Sequence, residues 1–318
     1  MPGSADFRRR RHVNTEWDSA FTAQALAFWT PERTAELVGD KRLLVTPAKA
    51  PALLRAIGLL HRDASMPPAQ RRKFFQLNHM LRLLEPAIRQ LPEAPHIIDA
   101  GCGRSYLSLT LAWCFEHVYG RPVKILGVDR NAKLIDDCRR RADLCGLSES
   151  MRHHAAQLDD LDTASAWREV FGEELDLSMV LALHACDTAT DDAIVLGVRG
   201  NADLIAVAPC CHAELARRWS ELDDPSAGFA AIWESPHLRR ETAASVTDAL
   251  RMLLLRCCGY DARAIEFVPA EHTPKNTLIR AVRARHDDAA RIRYDALVAA
   301  IGDVSITLAE RLLSSSPP

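Results

Sequence analysis

The sequence predicts an α/β protein, a parallel sheet with helices on both faces preceded by a small N-terminal helical region. Three observations carry this. Short apolar runs alternate with helix-length segments from residue 96 to about residue 208. The first run, Ile97-Ile98-Asp99-Ala100, passes directly into the tight turn Gly101-Cys102-Gly103-Arg104-Ser105 and then into a helix. The second run, Val123 to Val128, ends on a carboxylate, Asp129.

Taken in order, residues 1–12 read as disordered, and residues 13–65 as short helices punctuated by Pro31, Pro47 and Pro51. The Met66-Pro67-Pro68 break ends this region, so the expected division is 1–70, 71–285 and 286–318. Apolar residues at Leu77, Met80, Leu81, Leu84, Ile88 and Leu91 recur at helical spacing from Arg71 to about Leu91. Lys73, Gln76 and His79 then share a neighbouring face. Strand 96–99 leads to helix 105–119, stopped by Gly120 and Pro122. Strand 123–129 leads to a helix capped by Asn131 and ending near Gly146. A strand near 151–155, a helix near 163–172, a strand from Leu177 to Leu183, a helix over 188–198 and a strand from Asp203 to Ala208 complete the alternation. About thirty residues, Cys211 to Arg240, then intervene before a long helix over 241–258. Right-handed crossovers put that insert at the carboxyl edge of the sheet, as a candidate lid. Strands near 263–268 and 277–282 flank Pro269 to Asn276, and a helix near 287–313 precedes a Ser/Pro tail.

The net charge of −2 and a pI near 6.6 exclude a strong overall field toward nucleic acid or anionic membrane. Basic runs at 8–11, 71–73, 139–141 and 239–240 are local, and each reads by itself as a solvated surface. Nine cysteines, with vicinal pairs Cys210-Cys211 and Cys257-Cys258 and no repeated C-x-x-C, do not form a secreted disulfide framework. No signal peptide and no membrane-spanning run is apparent, so a cytoplasmic protein with no membrane partner and no obligate protein partner is expected.

The glycine turn and the acid after the second strand read as an adenosine-cofactor site. Glycines let backbone approach a ligand, the following helix presents free N–H groups, and the acid accepts from ribose hydroxyls. A dinucleotide fingerprint needs a third glycine where Tyr106 stands, so a pyrophosphate fits poorly and S-adenosylmethionine fits better. At the same sheet edge, topology gathers Leu183-His184-Ala185-Cys186-Asp187, Ala208-Pro209-Cys210-Cys211-His212 and Glu271-His272-Thr273-Pro274-Lys275-Asn276.

The order of Lys73-x-x-Gln76, Asp99 to Leu107, His184 to Asp191, Cys210-Cys211-His212 and Thr273 to Asn276 resembles class I S-adenosylmethionine-dependent methyltransferases over about residues 70–283. It is similar to the methyltransferase-domain group related to tRNA 2′-O-methyltransferases. Two positions depart from that group: Asp187 stands for a glycine and Ala213 for a second histidine. The Cys/His zinc-binding N-terminal region of the tRNA enzymes is also lacking. The resemblance implies a Rossmann-like, seven-stranded, mostly parallel sheet with its last strand antiparallel. It implies that Gly101, Gly103 and Ser105 line the methionine and ribose portion, that Asp99 bonds the amino-acid moiety and that Asp129 holds the ribose. Gln157 and Leu158 would flank the adenine, Leu183 would face the sulfonium side, and Tyr106 and Arg130 complete the cofactor set.

For catalysis the sequence leaves several routes open. His184 or His212 is a candidate base, with Lys275 or Lys73 as the alternative. Cys210 or Cys211 could be a covalent nucleophile, and His184, Cys186, Cys210, Cys211 and His212 contain zinc-ligand types without a zinc spacing. The expectation is cysteines that shape the pocket and no metal. Cys186, Asp187 and Asn276 join the catalytic group, and Lys73, Gln76 and His79 stand on the substrate side. The expected acceptor is RNA, with a protein or small-molecule acceptor, a non-catalytic cofactor-binding scaffold, or an NAD oxidoreductase as competing readings.

Overall fold

The computed structural model describes residues 19–183, 188–209, 212–222, 229–267, 276–285 and 287–314. Helical residues 19–28 (α1) are followed by α2 (Pro31–Val38), α3 (Pro51–Ala56) and α4 (Pro68–Ile88). The sheet region then runs β1 (His96–Ala100), α5 (Tyr106–Cys114), β2 (Lys124–Asp129), α6 (Ala132–Leu144), β3 (Met151–Ala155), α7 (Thr163–Phe171), β4 (Leu177–Ala182), α8 (Thr188–Arg199) and β5 (Leu204–Val207). It closes with α9 (Ala213–Ser220), α10 (Ala230–Glu234), α11 (Pro236–Cys257), β6 (Tyr260–Glu266), β7 (Thr277–Arg283), α12 (Asp288–Ala300) and α13 (Thr307–Leu313).

The strands form one seven-stranded sheet in the order β3-β2-β1-β4-β5-β7-β6. β7 is antiparallel to both of its neighbours, and the other pairings are parallel. This is the Rossmann-like arrangement that the resemblance implies, and its central strands are buried accordingly. β4 and β5 are buried at every position, as strands covered on both faces must be. β1 is the topological switch point: it pairs with β2 on one side and β4 on the other, so the chain leaves these strands toward opposite edges. A crevice opens at their carboxyl ends.

Two apolar cores sandwich the sheet. On one face α4 and α5 pack with the N-terminal helices, which share that core and do not form a separate lobe. Two polar contacts pin them: Trp29 Nε1 donates to the Ala64 carbonyl at 2.8 Å, and the Val45 N–H donates to Asn78 Oδ1 at 3.0 Å. On the other face lie α7, α8, α11 and the C-terminal helices.

Several expected elements differ in extent. α4 starts at Pro68 because proline suits the first helical turn, where its missing N–H costs nothing. The helix after the glycine turn is α only to Cys114; Phe115–Tyr119 is a π turn ending at left-handed Gly120. α11 begins at Pro236, well before residue 241, for the same reason as α4. The sixth strand is set earlier, at Tyr260–Glu266, and the C-terminal helix is broken between α12 and α13, where Gly302 and Asp303 have φ of 90° and 56°. The candidate lid is also corrected. Leu215, Trp219 and Trp233 of α9 and α10 are buried in the second core, and Trp219 Nε1 donates to the Ile301 carbonyl at 3.2 Å, so these helices cover the core.

Gly127 in β2 has no room for a side chain: a Cβ would sit 2.9 Å from His153 Cδ2, 3.0 Å from Met151 Cε and 3.2 Å from Cys102 Sγ. Gly127→Ala is expected to cost about 1–3 kcal/mol through overpacking, read as a lowered urea midpoint with an unchanged slope. An unchanged midpoint would show that β3 lies further from β2 than described.

Candidate functional site

β1 ends at Asp99-Ala100, and the turn that follows is shaped by three left-handed residues, Gly101 (φ 70°), Gly103 (φ 54°) and Ser105 (φ 53°). Glycine adopts this conformation freely, and serine does so only when neighbours hold it. They do. Ser105 is 1% exposed, and its Oγ meets His153 Nε2 at 3.1 Å. Burial, followed by the charges of Arg139 and Arg141, pulls the His153 imidazole down to about 4, so it is neutral at physiological pH. The expected place of the Ser105 side chain on the cofactor is therefore corrected: it points under the loop and supports it. His153 was not a candidate in the sequence, where its only signal is a histidine at an inward-facing position of a strand.

The acid after β2 secures the turn from the other side. Asp129 Oδ2 accepts the Gly103 N–H at 3.1 Å and Oδ1 accepts the Asn131 N–H at 2.9 Å. The Cys102 N–H donates to the Val128 carbonyl at 2.9 Å. These bonds fix the carboxylate's plane and leave each oxygen one further acceptor direction. Asn131 also caps α6 by accepting from the Leu134 N–H at 3.2 Å. Arg130 is exposed beside this cap. Gln157 and Leu158 follow the end of β3, which pairs Ala155 with Asp129, so they stand at the same edge.

A cavity of about 460 Å³ opens at the switch point. One wall is the loop, with Asp99, Gly101, Cys102, Arg104, Tyr106 and Leu107; Leu183 follows β4, and Phe267 follows β6. The other wall is α4, with Lys73, Gln76, Leu77 and Met80 at i, i+3, i+4 and i+7, backed by Ile57 and Leu59. His79 is off this face and does not line the cavity, contrary to the grouping of all three polar residues. Asp99 is the buried charge of the site. Burial pushes its carboxyl up to about 6, opposed by a hydrogen bond from Ser108 and reinforced by nearby Asp129. A larger hollow of about 620 Å³ lies at the amino end of the sheet around His96, Lys124 and Glu173, away from the glycine turn.

Of the expected catalytic group, His184, Cys186, Asp187, Cys210, Cys211 and Lys275 lie outside the described residues. Among the described residues, no group of three or more His, Cys, Asp or Glu could hold a metal. His212 is described, and it belongs to a buried network. Its Nε2 lies 2.9 Å from Asp248 Oδ1; fully buried Arg251 reaches Asp191 Oδ1 at 2.8 Å through Nε and Asp248 Oδ1 at 3.4 Å through Nη1. Asp191 closes the segment that begins at His184, so α11 ties that segment to the one ending at His212. Asp248 and Arg251 were missed, and their signal was a polar interruption on the inner face of a long helix. Asn276 Nδ2 donates to Glu266 Oε1 at 2.8 Å, bridging the ends of β6 and β7.

Residues 72–218, just under half of the chain, match a family described as a methyltransferase domain. Over that stretch the chain is similar to a methyltransferase domain. No curated protein sequence matches it. Similar solved structures include a geranyl diphosphate methyltransferase with geranyl diphosphate and sinefungin (16% identity, 80% of this chain and 99% of that one, TM-score 0.42). TrmK of M. capricolum with S-adenosylhomocysteine is another (12% identity, 65% and 70% covered, TM-score 0.33). A third is the CMeT domain of the citrinin polyketide synthase (13% identity, 74% and 66% covered, TM-score 0.41). At these scores the likeness carries nothing further, and the strand order of this chain is the stronger statement of its fold. The residues present fit S-adenosylmethionine: a buried carboxyl lines the cavity beside two left-handed glycines, and Tyr106 occupies the place a pyrophosphate-binding glycine would need.

Because the folded carboxyl of Asp99 titrates near 6 against 3.8 for an unperturbed group, its protonated form stabilises the unliganded enzyme at low pH, and that contribution is lost as pH rises through about 6. Asp99→Asn is therefore expected to raise the unfolding free energy at pH 8 by about 1–3 kcal/mol while leaving it nearly unchanged at pH 4. Urea unfolding at the two pH values reads this, and equal effects at both would contradict a buried ionisation.

Proposed function

We propose that the methyl acceptor of this enzyme is RNA, acting in the reducing interior of the cell. The observation that supports this reading is the charge at the mouth of the cavity. Arg71, Arg72 and Lys73 are exposed in succession on the first turns of α4, and Lys73 lines the cavity itself. Across the opening Arg104 is exposed and donates to the Tyr106 hydroxyl at 3.2 Å, while the Arg141 guanidinium lies 5.7 Å from the Tyr106 ring centroid. Cations on both rims flanking an aromatic ring suit a phosphate backbone with a base between. The second reading, a small apolar acceptor, is favoured by Ile57, Leu59, Leu77, Met80 and Phe267 on the cavity wall.

When bound, the cofactor supplies an electrophilic methyl group on a sulfonium. In our assignment Asp99 accepts from the ammonium of its amino-acid portion, Asp129 accepts from the ribose hydroxyls, and Gln157 and Leu158 flank the adenine. Lys73 and Gln76 face the acceptor. Catalysis is then mainly placement of the acceptor atom in line with the methyl group, with a base removing a proton where the acceptor carries one. His212 is our candidate for that base. Asp248 holds one ring nitrogen and thereby sets which nitrogen is free to accept.

Two measurements test these assignments. Asp129→Ala is expected to weaken S-adenosylmethionine binding more than tenfold by calorimetry, since hydrogen bonds to a charged acceptor contribute about 1.5–3 kcal/mol; an unchanged affinity would remove Asp129 from the ribose. Methyl-labelled S-adenosylmethionine incubated with separated RNA, protein and metabolite fractions should label RNA. With a labelled RNA in hand, Arg71→Ala and Arg72→Ala should each reduce the slope of log affinity against log salt by about one. Label confined to metabolites would establish the small-molecule reading.

A further inference from the structure

The cofactor loop contains a cysteine for which methyl transfer provides no task. Cys102 stands between the two left-handed glycines, is partly exposed, and lines the cavity beside Asp99. Its thiol has a partner. Cys138, buried on α6, lies beside it: both sulfurs lie against one carbonyl oxygen, that of Gly103, at 3.9 Å from Cys102 Sγ and 3.2 Å from Cys138 Sγ. One turn further along α6, Arg141 brings Nη1 to 3.8 Å from Cys138 Sγ. The hydrogen bond from Cys102 draws the Cys138 thiol down to about 7, helped by Ser105 and Arg141, while Cys102 itself is pushed up. Among the described residues, burial pushes Cys114 up to about 12 and Cys258 to about 11. Thiolates react and buried neutral thiols do not, so the pair at the loop is the exceptional one.

We propose that Cys102 and Cys138 form an oxidation site, a thiol pair that a peroxide converts to a disulfide and thereby locks the cofactor loop away from S-adenosylmethionine. As hydrogen peroxide reaches Cys102 in the cavity, the Cys138 thiolate takes the Cys102 thiol proton and the Cys102 sulfur attacks the peroxide. Its O–O bond breaks, Cys102 becomes a sulfenic acid, and one water leaves with that proton. Cys138 then attacks that sulfur through its thiolate, the S–O bond breaks, the hydroxyl leaves as a second water with a solvent proton, and the disulfide forms. The sulfurs give up two electrons and the peroxide takes them up.

The consequence for the cofactor is geometric. A sulfur–sulfur bond is about 2.0 Å long, so Cys102 must move toward α6 from its present hydrogen-bonded position. Its neighbours move with it. Gly103 is held to Asp129 by a single 3.1 Å bond, and Gly101 forms the cavity wall, so the displacement is taken up by the segment that must meet the cofactor. This lock rests on the cofactor assignment, so the two are tested separately.

The full chain is reduced, and S-adenosylmethionine affinity is measured by calorimetry before peroxide treatment, after it, and after reducing agent is restored. Tryptic mass spectrometry reports whether the peptides containing residues 102 and 138 are joined with loss of one hydrogen from each. We expect joined peptides, an affinity at least tenfold weaker after peroxide, and recovery on reduction. Cys138→Ser, and independently Cys138→Ala in case the first folds poorly, should show an oxidised-to-reduced affinity ratio within twofold of one. Peptides that stay separate in the wild type, or joined peptides with unchanged affinity, would overturn the lock. Reduced wild type that fails to bind S-adenosylmethionine would overturn the cofactor assignment and the lock with it, whatever the peptides show.

Discussion

The carboxylate of Asp129 is the contact on which the site depends. It belongs to one strand, yet its two oxygens accept from the glycine turn after another strand and from the first residues of α6. A strand, a loop and a helix are thereby held in one register. Without it, two left-handed glycines in succession would leave the turn free to move, because glycine restricts the backbone least. The clamp has a counterpart beneath the loop, where neutral His153 holds Ser105 in a conformation serine does not favour. One support acts at the cavity edge and the other from within the sheet, so the loop's shape is set before any ligand arrives.

Two buried charged systems flank this frame, and their physics differ. Among the described residues, no guanidinium or ammonium offsets the burial of Asp99, and its carboxyl rises accordingly. That is a cost to the unliganded fold, and a cation bound in the cavity would relieve it. The network of Arg251, Asp191, Asp248 and His212 is instead balanced internally, with a fully buried guanidinium between two carboxylates. Buried pairs of this kind are a poor source of net stability, but breaking one is costly. The network is better understood as a geometric tie, joining Asp191 of α8 and His212 to Asp248 and Arg251 of α11.

The cavity itself is a joint product of the sheet and the N-terminal helices. Asp99, Gly101 and Leu183 come from strand ends, while Ile57, Leu59, Lys73 and Gln76 come from the helices packed over the first core. One wall of the cavity is therefore supplied by parts of the chain that lie outside the alternating strands and helices. That division is common where one cofactor frame serves many acceptors, because the frame can stay constant while its cover changes.

What the sequence determined by itself was local and periodic. Apolar runs bounded by helix stops located the strands to within a few residues, and the glycine turn and Asp129 marked the edge where the cavity opens, because φ requirements and strand endings are written in adjacent residues. Tertiary structure decided what depends on direction. It turned Ser105 inward, put His79 off the cavity face while Lys73 and Gln76 lined it, and placed the supposed lid helices over the second core. It also brought His153 under the loop to Ser105, Asp248 to His212 and Arg251 to Asp191, pairings across 48, 36 and 60 residues, and set Cys138 and Cys102 against one carbonyl. No single-sequence pattern encodes such meetings. They arise only when packing fixes which face of each element looks at which neighbour.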